Sequence, residues 1–148
     1  MKNLKLFKQS RGYCGPASLK MVLSVYGVNK SEKEFAKLTK SSRDKGCDEI
    51  EIVNVAKKLG FKSYVKQNSN IDELKRLVKE GIPVIVDWFS PEEAGHYSVV
   101  VGFDKASILI ADPHFGKVKR HDIDWFEERW FDMPFKNIIK KEIIVIKK

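Results

Sequence analysis

Cys14, His96 and Asp112 are the residues whose types could do covalent chemistry together. Cys14 lies in Gln9-Ser10-Arg11-Gly12-Tyr13-Cys14-Gly15-Pro16-Ala17-Ser18, just ahead of an apolar run over 19–26, so the thiol falls where a helix should begin. A thiol at a helix N-terminus faces unpaired backbone N–H groups and the positive end of the dipole, which favours thiolate. His96 opens one β-like run, 97–103, and Asp112 closes the next, 107–111. An adjacent imidazolium favours the thiolate further, and a carboxylate holds that imidazole in the useful tautomer. A thiol, an imidazole and a carboxylate far apart in sequence but at the ends of regular elements are the parts of a cysteine nucleophile site. Gln9 adds a side-chain amide that could join the Cys14 N–H in binding an oxyanion. Gly12, Gly15 and Gly95 flank the thiol and the imidazole and leave room for a substrate backbone to approach.

These groups need elements to position them. A short extended arm is expected over 4–8. The first helix runs over 14–26, with Pro16 in its first turn, where a missing N–H costs nothing. Ser31 and Glu34 read as a capping box for a second helix ending near Leu38. Asp48 and Glu51 start a third, with Ile52, Val53, Val55, Ala56 and Leu59 spaced for one buried face and Gly60 as its stop. A strand follows over 61–66. Asn70 and Glu73 cap a fourth helix over 71–80, closed by Gly81. The period then changes. Residues 82–88 form a continuous apolar run suited to a central strand, and 90–95 a loop. Residues 96–103 and 107–111 flank a short turn, the signature of a hairpin. That pairing brings the start of one strand, with His96, beside the end of the other, with Asp112. Residues 117–121 make a further short strand, an aromatic helix runs from Asp122 or Asp124 through Trp130, and 142–146 a last strand. Helices first and a mostly antiparallel sheet after predict an α+β fold in a single domain over 1–148.

The 148 residues carry a net charge of +8. Residues 1–30 hold six basic and no acidic side chains, and residues 136–148 hold five basic and one acidic, so the excess sits at the two ends. No basic–aromatic nucleic-acid motif accompanies it, and a lysine-rich solvated surface is expected rather than nucleic-acid binding. No apolar stretch is long enough to span a bilayer and no signal-peptide pattern opens the chain, which predicts a cytoplasmic protein. His114, His121 and Cys47 lack metal-ligand spacing, and no phosphate-binding glycine loop occurs, so neither a metal nor an organic cofactor is expected. Cys47 is expected as a free thiol of ordinary reactivity, far from Cys14. Asp87, inside the apolar run, is the odd charge, set either to face a sheet edge or to support the site.

The combination of Gln9, Cys14-Gly15-Pro16-Ala17, Gly95-His96-Tyr97-Ser98-Val99-Val100-Val101-Gly102-Phe103 and Ala111-Asp112-Pro113 resembles the bacteriocin-processing, or double-glycine, cysteine peptidases of the papain-like superfamily. Gly116, the 117–120 segment and the aromatic pair Phe126 and Trp130 extend the resemblance over nearly the whole chain. Gln9 stands five residues before Cys14, where that family commonly has six, and the exporter to which the domain is often fused is missing from this sequence. The resemblance implies a freestanding papain-like domain acting as a thiol-dependent peptidase on a peptide or protein substrate, with Cys14 as nucleophile, His96 as base, Asp112 orienting it and Gln9 in the oxyanion site. A papain-like module that binds peptide without turnover and a thiol acyltransferase are the two other functions compatible with these residues. Oligomeric state is left open by the sequence.

Overall fold

A computed structural model describes all 148 residues. Three helices come first: α1 (Cys14–Ser24), α2 (Glu32–Leu38) and α3 (Glu49–Lys58). They are followed by β1 (Lys62–Lys66), α4 (Ile71–Lys79), β2 (Val84–Ser90), β3 (Ala94–Asp104), β4 (Ser107–Asp112), β5 (Lys117–Asp122), α5 (Ile123–Glu128), β6 (Phe131–Asp132), β7 (Ile139–Lys140) and β8 (Glu142–Lys147). The main sheet has the order β1-β8-β2-β3-β4-β5 and every pairing in it is antiparallel. This is the α+β architecture expected from the sequence. β6 and β7 form a separate small ribbon.

The sheet is buried on both faces. Ile85, Tyr97, Val99, Ala111, Ile144 and Ile146 point to a core shared with α1, α3 and Phe35 of α2. Val84, Val86, Trp88, Val100, Ile110, Ile143 and Val145 point the other way, to Leu74 and Leu77 of α4 and Phe126 of α5. Two faces covered by helices explain why the β2 and β8 sequences are continuous apolar runs rather than alternating ones. Side chains cap four of the five helices. Ser31 with Glu34 closes a capping box on α2, and Asp48, Asn70 and Asp122 each accept a first-turn N–H of α3, α4 and α5.

Several boundaries shift from the sequence expectation for local reasons. β2 begins at Val84 because the Ile82 N–H closes α4 on Leu77 O and Pro83 has no N–H to offer a ladder. The connection from β2 to β3 is a tight turn held by Ser90 Oγ, which accepts the Glu93 N–H at 3.0 Å, so β3 already starts at Ala94. The aromatic helix stops at Glu128, and Trp130 instead fills the second core and donates its Nε1–H to Glu142 O at 3.1 Å. The 4–8 arm forms no strand. Leu4 and Phe7 pack on the first core, and the Lys5 N–H reaches Ser24 Oγ at 2.8 Å.

Candidate active site

Cys14 is the first residue of α1, the longest helix and the one that lacks a side-chain cap. Its N-cap position holds Tyr13, whose side chain makes no capping bond. The N–H groups of Cys14 and Gly15 donate to no acceptor in the protein, and Pro16 has none to donate. The helix therefore presents free donors at the thiol, and its dipole favours negative charge there. A carbonyl oxygen brought to Cys14 would meet these donors, which is the requirement for an oxyanion site.

His96 and Asp112 meet through a register shift. Asp104 faces Ser107 across the β3–β4 turn, and that register, continued, would set Asp112 opposite Val99 and leave His96 on the far face of the sheet. A β-bulge between Val100 and Gly102 takes up one residue of β3, and beyond it Val99 faces Ala111. The slip reverses the facing of β3 ahead of the bulge, so His96 comes to the face that Asp112 shares with Ile108 and Ile110, diagonal to it. His96 Nε2 lies 2.7 Å from Asp112 Oδ1, and both side chains are essentially inaccessible to solvent. The His114 N–H donates to the same Asp112 oxygen at 3.0 Å, fixing the carboxylate from the chain's own next turn.

The other His96 nitrogen faces the thiol. Cys14 Sγ, a ring nitrogen of His96 and a carboxylate oxygen of Glu93 lie within 4.8 Å of one another. The Tyr97 N–H points at Cys14 Sγ from 3.5 Å, an arrangement that suits a sulfur carrying negative charge. Glu93 is the part that sequence reasoning missed. Its carboxylate stands 3.4 Å from His96 Nδ1 and 2.6 Å from His114 Nδ1, so His114 is engaged in the site's periphery and not merely solvent-facing. Nothing in the spacing of a lone turn glutamate marks it; only the tight β2–β3 turn brings it back over the ring.

Burial alone would favour neutral His96, but hydrogen bonds to Asp112, Cys14 and Glu93 prevail and hold its pKa well above the ordinary 6.5. Burial likewise opposes ionisation of Glu93, yet its contacts with His96 and His114 bring it down to about 2. The imidazolium is thus held by anions on both sides. Glu93→Gln should lower kcat/KM by about tenfold while the thermal midpoint stays within a few degrees, as steady-state kinetics and calorimetry would show. Cys14, Glu93 and His96 also form a donor set that could hold a soft divalent cation. Such an ion would consume the thiolate and stop nucleophilic attack.

Gln9 is anchored by its N–H, which donates to Pro113 O at 2.8 Å beside Asp112. Its Nε2 makes one long bond, 3.3 Å to Ser10 O, and Oε1 is buried without a partner. The three flanking glycines each make room for protein. Gly12 has φ +82°, and a Cβ there would meet the Arg43 backbone at 2.8 Å. A Cβ on Gly15 would overlap Cys47, with Sγ at 2.8 Å, and one on Gly95 would overlap the Asp132 carboxylate, with Oδ1 at 2.5 Å. Of the three, Gly95 also lines the cavity beside Cys14. The expectation that Cys47 lies far from Cys14 is corrected. The 41–48 segment folds back over the start of α1, Tyr97 Oη donates to Cys47 O at 3.0 Å, and both cysteines line one cavity. Both are free thiols. Burial raises the Cys47 pKa to about 11, so it is less reactive than an ordinary cysteine, not equal to one.

Residues 1–137 match the Peptidase_C39 like family. The chain belongs to that family. A transport/processing ATP-binding protein, ComA of Streptococcus pneumoniae strain R6, is 34% identical over 119 residues, which cover 79% of this chain and 16% of that protein. The chain therefore spans about a sixth of the length of that relative. Among solved structures, the peptidase domain of Streptococcus ComA superposes with a TM-score of 0.76 at 27% identity, covering 97% of this chain and 98% of the other. A double glycine motif protease from an AMS/PCAT transporter, solved with its leader peptide, superposes with a TM-score of 0.73 at 23% identity over 97% of this chain and 89% of that one. The C39 family is one of cysteine peptidases with a papain-like fold, and this chain is a cysteine-peptidase domain of that kind. No helix is long and apolar enough to cross a membrane.

One feature of this C39 domain lies beyond the Cys14, His96 and Asp112 cluster. A cavity of about 690 Å³ opens beside Cys14, floored by Tyr97 and walled by the 132–139 segment. Asp87, the odd charge of the apolar run, lines it, and its cross-strand partner Glu142 lies behind it. Burial and the neighbouring Asp132 push Asp87 up to about 10, and burial pushes Glu142 up to about 8. Both groups hold protons more tightly folded than unfolded, where they titrate near 3.8 and 4.5. Their contribution to stability is therefore full below about pH 4 and is lost as pH rises through their folded pKa values. The thermal midpoint should fall between about pH 5 and about pH 9, and an Asp87→Asn/Glu142→Gln double variant should show a flatter profile and the higher midpoint at the alkaline end.

Proposed function

We propose that the chain hydrolyses a peptide bond of a peptide or protein substrate through a Cys14 thioester. The observation that carries this is the buried His96, pinned at 2.7 Å by Asp112 on one nitrogen and facing a helix-terminal thiol with the other. The Cys14 thiolate attacks the carbonyl carbon, and the developing oxyanion takes hydrogen bonds from the Cys14 N–H and the Gln9 amide. The tetrahedral intermediate collapses as His96 gives its proton to the departing amine. Water then attacks the thioester, His96 accepts its proton, and Cys14 and a carboxylic acid are released. Asp112 keeps the ring in register throughout. Gly95 supports the substrate at the cavity edge. Neither a metal nor an organic cofactor takes part in these steps.

Residues 1–148 act as one unit, because β8, beyond the residues of the family match, is an interior strand paired to β1 and β2. The domain works in the cytoplasm, as the peptidase part of an exporter-linked processing system would. The test is incubation of the full chain with a peptide mixture that includes a leader-type peptide ending in two glycines, with products read by mass spectrometry. Cleavage that survives chelator and is abolished by iodoacetamide supports the reading. Cleavage insensitive to thiol alkylation, or no cleavage of any peptide, overturns it.

A further inference from the structure

We propose that Cys14 Sγ, His96 Nδ1 and a Glu93 carboxylate oxygen form a zinc site, and that a zinc ion held there keeps the thiol in a reversible resting state. The metal site stands on its own geometry; the resting state rests on the peptidase reading. A cysteine and a histidine facing one another offer two donors. Here the tight β2–β3 turn adds a third, and the three ligand atoms lie within 4.8 Å of one another. The imidazole is 1% exposed, and its Nδ1 is shielded from solvent without a well-formed hydrogen bond, meeting only the longer contacts to the thiol and Glu93. A buried ring nitrogen left in that condition, aimed at a sulfur and a carboxylate, is satisfied by a metal ion.

The spacing fits zinc. With bonds of about 2.1 Å from the metal to nitrogen and oxygen, two such ligands on a tetrahedral ion stand about 3.4 Å apart. Glu93 Oε1 and His96 Nδ1 stand 3.4 Å apart. The thiol turns on a single side-chain bond and closes the rest of the triangle. Cys47, although it lines the same cavity as Cys14, is not one of the three.

The outer partners of the ligands are also in place. Asp112 Oδ1 holds His96 Nε2 at 2.7 Å, which leaves Nδ1 for the ion and completes a carboxylate–histidine–metal chain. His114 Nδ1 holds the other Glu93 oxygen at 2.6 Å, and the Tyr97 N–H points at Sγ from 3.5 Å. A thiolate and a carboxylate match the two charges of the ion, and the neutral ring adds none. The proton on Nδ1 leaves to solvent as the ion enters. Sulfur and nitrogen donors select zinc over calcium or magnesium, which take oxygen. Three protein ligands leave the fourth position to water, so a chelator can remove the ion and free the thiol.

The test uses the full chain, reduced and freed of metal, titrated with zinc chloride against a chromophoric chelator, and separately with cobalt(II) chloride as a spectroscopic stand-in. One zinc ion should bind per chain, slow iodoacetamide alkylation of Cys14 by at least about tenfold, and release it again on addition of chelator. Zinc affinity should fall by about a hundredfold in Glu93→Gln and by more in Cys14→Ser, with Cys47→Ser unchanged. Cobalt should give a sulfur-to-metal charge-transfer band in the parent and none in Cys14→Ser. Zinc affinity equal in the parent and Glu93→Gln would overturn the site, since the ion would then rest on the cysteine and histidine alone. Binding lost in Cys47→Ser, or peptide cleavage raised by zinc, would overturn it too. Binding as expected in a chain that cleaves no peptide when metal-free supports the site and overturns only the peptidase reading.

Discussion

Cys14→Ser should reduce peptide cleavage by at least about a thousandfold while leaving the fold and the thermal midpoint nearly unchanged. The substitution replaces one atom. The half-buried side chain at the head of α1 keeps its place, and the free donors of the first turn remain. What changes is the nucleophile. A hydroxyl is far harder to ionise than a thiol, and the site holds an imidazolium already flanked by Asp112 and Glu93, which is poor at removing a proton from an alcohol. An imidazole held protonated by its neighbours is no base for serine. Single-turnover cleavage and calorimetry on the same preparation check both halves of the expectation.

His96→Ala should cost both activity and stability. The ring is 1% exposed and fills space against Trp88, with ring centroids 6.4 Å apart. Removing it takes away the proposed proton donor for the leaving amine and leaves Asp112 buried with only the His114 N–H for a partner. We expect turnover to fall on the order of ten thousandfold. Loss of the partner of a buried charge should remove about 3 kcal/mol of stability, roughly a 10 °C drop in thermal midpoint for a domain of this size. The contrast with Cys14→Ser is informative. Both variants should lose activity, but only His96→Ala should unfold early, because only it strips the buried Asp112 carboxyl of its side-chain partner.

The three chemical groups were legible from the sequence because each sits at an element boundary that local signals announce. Cys14 precedes an apolar helical run with Pro16 in its first turn, and His96 and Asp112 bracket two β-like runs. Helices α2, α3 and α4 were legible for the same reason, each being opened by a side-chain cap. The route by which Asp112 reaches His96 was not legible. It depends on a one-residue bulge between Val100 and Gly102, and a single glycine within an apolar run does not by itself tell a bulge from a regular strand residue. Glu93 and Cys47 escaped for a different reason. Each belongs to a loop whose return path is set by contacts distant in sequence: the first by the turn that Ser90 closes, the second by Tyr97 and the bare face of Gly15. Asp87 stood out as a charge within an apolar run, but only the sheet order shows that it faces Glu142 and opens on the cavity beside the thiol.

The most direct measurement is the intact mass of the protein, quenched in acid during turnover of an activated aryl ester of an acylated peptide. Such an ester acylates quickly, so hydrolysis of the acyl-enzyme becomes slow enough for it to accumulate. The account predicts a single adduct equal in mass to the acyl group, located on Cys14 by peptide mapping, decaying as ester is exhausted, and absent from Cys14→Ser and from protein treated first with iodoacetamide. Ester hydrolysis that proceeds with no adduct and continues undiminished in Cys14→Ser, or an adduct that maps to Cys47, would contradict it.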